Sequence, residues 1–111
     1  MNWILLTTEE QLNDIAAKSF VTPQVIFKHS TTCSISSMAL NRLERAETPI
    51  NIDFYYLDLL KLRNISIAIS NKFDVHHESP QVIVLKNGSC IYDESHYAIS
   101  MADIAEQVAN V

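Results

Sequence analysis

Apolar and polar positions along this chain repeat with two periods. Behind Thr8 and Gln11, a capping-box pair, Leu12, Ile15 and Ala16 keep i, i+3, i+4 spacing and predict an amphipathic helix over about residues 9–19. Pro23 ends that pattern. The continuous apolar run Val25-Ile26-Phe27, followed by Lys28, reads as a strand buried on both faces. His29-Ser30-Thr31-Thr32 is a polar loop, and from Cys33 a second helix carries Ile35, Met38, Ala39 and Leu43 on one face. Ile52, Phe54 and Tyr56 alternate with Asp53 and Tyr55, the period of a strand. Asp58 is the candidate cap of a third helix bearing Leu62, Ile65, Ala68, Ile69 and Phe73.

The second half of the chain continues the pattern. A polar loop, His76-His77-Glu78-Ser79-Pro80, leads into the run Val82-Ile83-Val84-Leu85. Asn87-Gly88 is a two-residue hairpin turn, and Cys90-Ile91-Tyr92 is the returning strand. Regular pairing from that turn sets Leu85 opposite Cys90 and Pro80 opposite Ser95, with His96 just beyond. Ser100 caps a last helix with Met101, Ile104, Ala105 and Val108 on its inner face. The order α-β-α-β-α-β-β-α predicts a mixed four-stranded sheet flanked by helices. That is an α/β thioredoxin-like fold, expected as one domain over residues 1–111.

Composition narrows the chemistry. Of 111 residues, 48% are apolar and 19% charged, enough apolar content for one core without staples. A net charge of −5 weighs against nucleic-acid binding. The single glycine, Gly88, excludes glycine-rich phosphate loops. Two cysteines are too few for a disulfide framework or a multi-cysteine zinc site. No apolar run approaches the roughly 20 residues of a membrane span, and the first residues lack a basic signal-peptide region. The expectation is a cytoplasmic protein without a metal site, whose thiols stay reduced.

Cys33 is the leading candidate. It follows a buried strand through a short polar loop and opens a helix, where unpaired N–H groups favour a thiolate. Flanked by Thr31, Thr32, Ser34 and Ser36, it reads as a reactive thiol rather than a core residue. Ser36 stands where a C-x-x-C motif places its second sulfur, so the segment cannot close a local disulfide. Its hydroxyl either donates to the thiolate or is simply solvated. Cys90 lies about five residues along the hairpin from Pro80, roughly 16 Å at 3.3 Å per residue, too far to resolve a disulfide on Cys33. Pro80 opens its strand, and in this fold a cis proline there lies beside the nucleophile's helix, offering the Ser79 backbone to an extended ligand. His76 and His77 read as a solvated loop. His29 and His96 are candidates near the thiol.

Phe27-Lys28-His29-Ser30-Thr31-Thr32-Cys33-Ser34-Ile35-Ser36 resembles the thiol segment of the YtxJ-like bacilliredoxins. The likeness extends to Leu57-Asp58-Leu59, His77-Glu78-Ser79-Pro80-Gln81, Ser95-His96 and Ala98-Ile99. One departure is Ser34, where many members carry proline. The resemblance implies a monothiol thiol-disulfide oxidoreductase acting in the bacillithiol system. The Cys33 thiolate would take bacillithiol from mixed disulfides on client proteins, with bacillithiol as co-substrate and no other cofactor. Expected contacts to the small thiol or the thiolate are Lys28, His29, Thr32, Ser34, Ile35, Ser36, Ser79, Pro80 and His96. Lys28 and the helix N-terminus are the expected partners of the malate carboxylates of bacillithiol. Two other readings stay open: a non-catalytic thioredoxin-like adaptor, and a glutaredoxin-like protein using another small thiol.

Overall fold

In the computed structural model, which describes residues 1–109, the chain runs β1 (Trp3–Leu5), α1 (Glu10–Lys18), β2 (Gln24–His29), α2 (Ser34–Arg45), β3 (Asp53–Asp58), α3 (Arg63–Phe73), β4 (Gln81–Lys86), β5 (Ser89–Ser95), a 3₁₀ turn at His96–Ala98 and α4 (Met101–Ala109). Asn110 and Val111, included in the expected domain, lie outside the described residues. The sheet has the order β1-β3-β2-β4-β5, with β1, β3 and β2 parallel and β4 and β5 antiparallel to their neighbours.

The expected sheet of four strands gains a fifth. Trp3–Leu5 pairs with Phe54–Tyr56 at the parallel edge. Three residues are too few to display a period, so the strand is invisible to patterning. Its anchor is Trp3, stacked on Phe27 at 5.8 Å between ring centroids and edge-on to Phe54 and Tyr56. The indole N–H donates to Glu44 at 3.0 Å.

Two cores cover the two faces of the sheet. Leu12, Ile15, Ile26, Leu57, Ile65, Ile69, Ile83 and Leu85 join α1 and α3 to one face. Val25, Phe27, Ala39, Leu43, Val82, Val84, Ile99 and Ile104 join α2 and α4 to the other. Every residue of β2 is buried, so its alternating side chains enter both cores in turn.

Two expected caps take different forms. Gln11 Oε1 accepts the backbone N–H groups of Thr7 and Thr8 at 2.8 and 3.0 Å, but the Thr8 hydroxyl donates to the same oxygen instead of capping α1. Asp58 holds the turn ahead of α3: its carboxylate accepts from Lys61 N–H at 3.4 Å and its carbonyl from Leu62 N–H at 3.0 Å. Ser100 does cap the last helix, accepting from Asp103 N–H at 3.2 Å.

The hairpin turns at Asn87-Gly88 as expected, and Leu85 pairs with Cys90. Beyond that pair the regular arithmetic fails by one residue. Val84 pairs with Tyr92, leaving Ile91 as a bulge, and Ser95 faces Gln81 instead of Pro80. The bulge brings His96 to Pro80, whose carbonyl accepts the His96 N–H at 3.1 Å.

Candidate functional site

Buried β2 ends at His29, and the chain leaves the sheet through Ser30–Thr32 before α2 begins. Cys33 is the N-cap of α2, with extended backbone (φ −105°, ψ 123°), and its carbonyl accepts the Ser37 N–H at 3.0 Å. Cap residues aim their side chains at the unpaired N–H groups of the first turn, where a thiolate is a better acceptor than a thiol. The sulfur is free, partly exposed and makes no side-chain cap bond. Thr32 and Ser34 on either side are exposed, and Ile35 is half-buried.

Ser36 is neither solvated nor committed to the thiol. It is fully buried, its oxygen lies 2.6 Å from His29 Nδ1, and it accepts the Ser30 N–H at 3.0 Å. In either tautomer of neutral His29 this contact is a hydrogen bond, with the proton on whichever of the two atoms the ring tautomer leaves it. Ser36 therefore ties strand end, loop and helix together in the space of a second sulfur. His29 is itself stacked on Phe27 at 5.7 Å and packed against Tyr56 at 5.5 Å. Burial lowers its pKa, opposed by the carboxylates of Asp58 and Glu44. The expected seat of His29 beside the thiol loop is a buried one.

Lys28 departs from expectation altogether. Neighbouring side chains on a strand point to opposite faces, so Lys28 enters the core of α1 and α3, away from α2. It has no exposed surface and sits 2.6 Å from His77 Nδ1. It is no partner for the carboxylates of a thiol bound at Cys33. Loss of hydration pushes its ammonium down to about 8, partly offset by Glu78.

The opposite wall of the site comes from β4 and β5. Lys28 pairs with Gln81, the first residue of β4, so Pro80 stands just before β4, at the end of the sheet where β2 gives way to the Cys33 loop. The Ser79–Pro80 peptide is cis, as the fold argument anticipated. Gln81, fully buried, fixes the preceding loop by donating to the His76 carbonyl at 3.0 Å and accepting from Glu78 N–H at 3.4 Å. His96 adopts a left-handed backbone (φ 58°), and its Nε2 lies 3.5 Å from Glu78 Oε1. The sequence thus assembles His29, Ser36, Ser79, Pro80 and His96 at the Cys33 end of the sheet.

Cys90 belongs elsewhere. It is half-buried against the α1/α3 core, its thiol donates to the Tyr92 carbonyl at 3.5 Å, and burial raises its pKa. His77 is exposed, as the loop reading expected, yet its Nδ1 also meets buried Lys28 and Ser66, and the loop-fixing role of Gln81 was not among the expected site contacts. The signal for both lay in the spacing around Pro80, but their partners come from β2 and from their own loop.

A mixed sheet of this order with one cysteine capping the helix after the central strand defines a thioredoxin-fold protein of the single-thiol type. The structure of a candidate oxidoreductase with a thioredoxin fold is similar at TM-score 0.78 and 29% identity, covering 94% of this chain and 91% of that one. Thioredoxin of Fasciola hepatica (TM-score 0.71, 15% identity, 96% of both chains) and oxidised thioredoxin of Plasmodium falciparum (TM-score 0.70, 13% identity, 98% and 97%) share the fold. A family model described as monothiol bacilliredoxin BrxC matches residues 4–104. The chain belongs to the monothiol bacilliredoxin family, and with it comes a thiol redox role. No helix among the described residues is long and apolar enough to cross a membrane.

Proposed function

We propose that this protein is a thiol-disulfide oxidoreductase that removes bacillithiol from mixed disulfides on client proteins. The observation that carries the reading is Cys33 itself. It is a partly exposed free thiol at a helix N-cap, with Ser36 bound to His29 and Ser30 where a second sulfur would stand. Such a thiol can exchange with a disulfide but cannot close one in its own turn.

In the first step the Cys33 thiolate attacks the bacillithiol sulfur of the client's mixed disulfide. A new disulfide forms between Cys33 and bacillithiol, the old one breaks, and the client leaves as a thiolate that takes a proton from water. In the second, a bacillithiol thiolate attacks the mixed disulfide on Cys33. It releases the Cys33 thiolate and leaves bacillithiol disulfide. Each step exchanges one disulfide for another, so no net oxidant is consumed. The Ser79 backbone, with Pro80 and His96 beside it, supplies an edge for an extended disulfide ligand, and Thr32, Ser34 and Ile35 border the sulfur. With Lys28 buried, the malate carboxylates fall to the N-terminus of α2. Bacillithiol acts as co-substrate, and the setting is the cytosol, where free thiols persist.

The test uses a reporter protein carrying bacillithiol on one cysteine, and a second carrying glutathione. Mass spectrometry should find bacillithiol on Cys33 and the first reporter freed, with Cys33→Ser inactive. Release that proceeds equally without Cys33 would overturn the mechanism. Equal turnover of the glutathione reporter would overturn the assignment of the thiol.

A further inference from the structure

Burying a cation without an anion beside it is costly, and proteins normally supply a carboxylate. Lys28 makes no ion pair among the described residues: its side chain is fully buried, its hydrogen-bond partner is the imidazole of His77 at 2.6 Å, and the nearest carboxylate acting on it, Glu78, does so without direct contact. An ammonium has donors only, so His77 Nδ1 accepts, and the hydroxyl of Ser66 donates to the same nitrogen at 3.3 Å. The ring proton is thereby fixed on Nε2, which no protein acceptor engages among the described residues.

His77 also lines a groove of about 320 Å³ on the α3 face, with Leu59, Arg63, Ser66, Ile67 and Ser70. The lining is largely apolar, and Ile67 exposes 62% of its surface there. Arg63 has no hydrogen bond or ion pair to a protein side chain among the described residues. One open groove thus combines, among the described residues, an apolar wall, a guanidinium without a protein partner, and a histidine whose Nε2–H is free and whose Nδ1 is held by a buried lysine.

We propose that this groove binds a small organic carboxylate with an apolar body, its carboxylate held by Arg63 and the Nε2–H of His77. The anion adds to the distant counter-charge of Glu78, acting on Lys28 through the imidazole between them. Guanidinium and imidazole N–H groups both prefer a charged acceptor. The hydrocarbon body covers Leu59 and Ile67. The site lies on the face opposite α2 and does not depend on the thiol chemistry of Cys33.

Hexanoate is a suitable probe, with acetate and hexan-1-ol as controls, followed by NMR of the full chain at pH 7. Saturable shifts should map to Ile67, Ser70 and His77, with hexan-1-ol at least about tenfold weaker for want of the charge-assisted contacts and acetate at least about tenfold weaker for want of the hydrocarbon body. Arg63→Gln, at an exposed position, should weaken hexanoate by about tenfold and leave the remaining spectrum unchanged. Lys28→Met should weaken it several-fold, whereas Cys33→Ser should bind as tightly as the parent. Absence of saturable shifts, equal binding of hexan-1-ol or acetate, or an unaffected Arg63→Gln variant would each overturn the proposal.

Discussion

Lys28 and His29 are consecutive residues of one buried strand, yet they serve two separate regions of the molecule. His29 faces α2, where Phe27, Tyr56 and Ser36 surround it and a neutral imidazole meets its needs through one hydroxyl. Lys28 faces α3, where a cation is held by a neutral histidine at the back of a groove. The first arrangement is closed, with its polar groups paired inside the protein. In the second the cation has no direct ion pair among the described residues, and only the distant Glu78 carboxylate offsets it. Closed polar networks make rigid scaffolds, and the His29 side carries the nucleophile. The Lys28 side, with its cation held by His77, carries the groove.

The two cysteines divide along the same line, and their exchange gives the largest expected effect. Cys33→Ser should abolish thiol transfer, while Cys90→Ser, on the α1/α3 face, should retain most of it. Turnover of the bacillithiol reporter measures both. A folded but inactive Cys90→Ser protein would break the comparison by making both faces part of the chemistry.

Next in size is Ser36→Ala. It removes the partner of the Ser30 N–H and of His29 Nδ1 inside a closed site, at a cost of about 1–3 kcal/mol for groups left unsatisfied. Urea unfolding should show the loss, and an unchanged midpoint would mean that the network is not structural.

Lys28→Met should act in the opposite direction. Replacing a buried charge by an apolar chain of similar length should stabilise the protein at pH 7 by about 1–2 kcal/mol. The pH dependence gives a second readout. The Lys28 pKa is about 8 when folded and 10.5 in its ordinary state, so between those values the unfolded chain holds more protons. Stability from this group therefore rises as pH climbs from about 8 to 10.5. The difference between parent and Lys28→Met should shrink across that window. A constant difference would place the ammonium in water.

The smallest effect is expected at His29. Its pKa is lowered on folding from 6.5, so the stability it contributes is complete above 6.5 and is lost as pH falls towards the folded value. His77 shifts in the same direction, so the comparison must be with His29→Gln, which keeps a polar group near Ser36. Melting temperatures of the two proteins should converge as pH falls below 6.5. Parallel curves would show that His29 is protonated in the fold.

Much of this protein was legible from local patterning. Helix periods, the buried run of β2, the Asn87-Gly88 turn and the cysteine at the mouth of α2 all follow from residues within a few positions of one another. So did the reading of Cys90 as a packed strand residue, because hairpin pairing is set by the turn. Three things depended on distant partners. Trp3–Leu5 is a strand only because β3 offers an edge and Phe27 a ring to stack on. The bulge at Ile91, which moves His96 onto Pro80, leaves no mark in the sequence. Lys28 and His29 look alike as basic residues before a thiol loop, but strand alternation sends them to opposite cores, and which face holds α2 is a property of the assembled sheet. The sequence by itself determined that one thiol would open a helix. Only the tertiary structure decided that its neighbouring lysine would be buried behind a different groove, because burial and pairing are set by what packs across the strand, not along it.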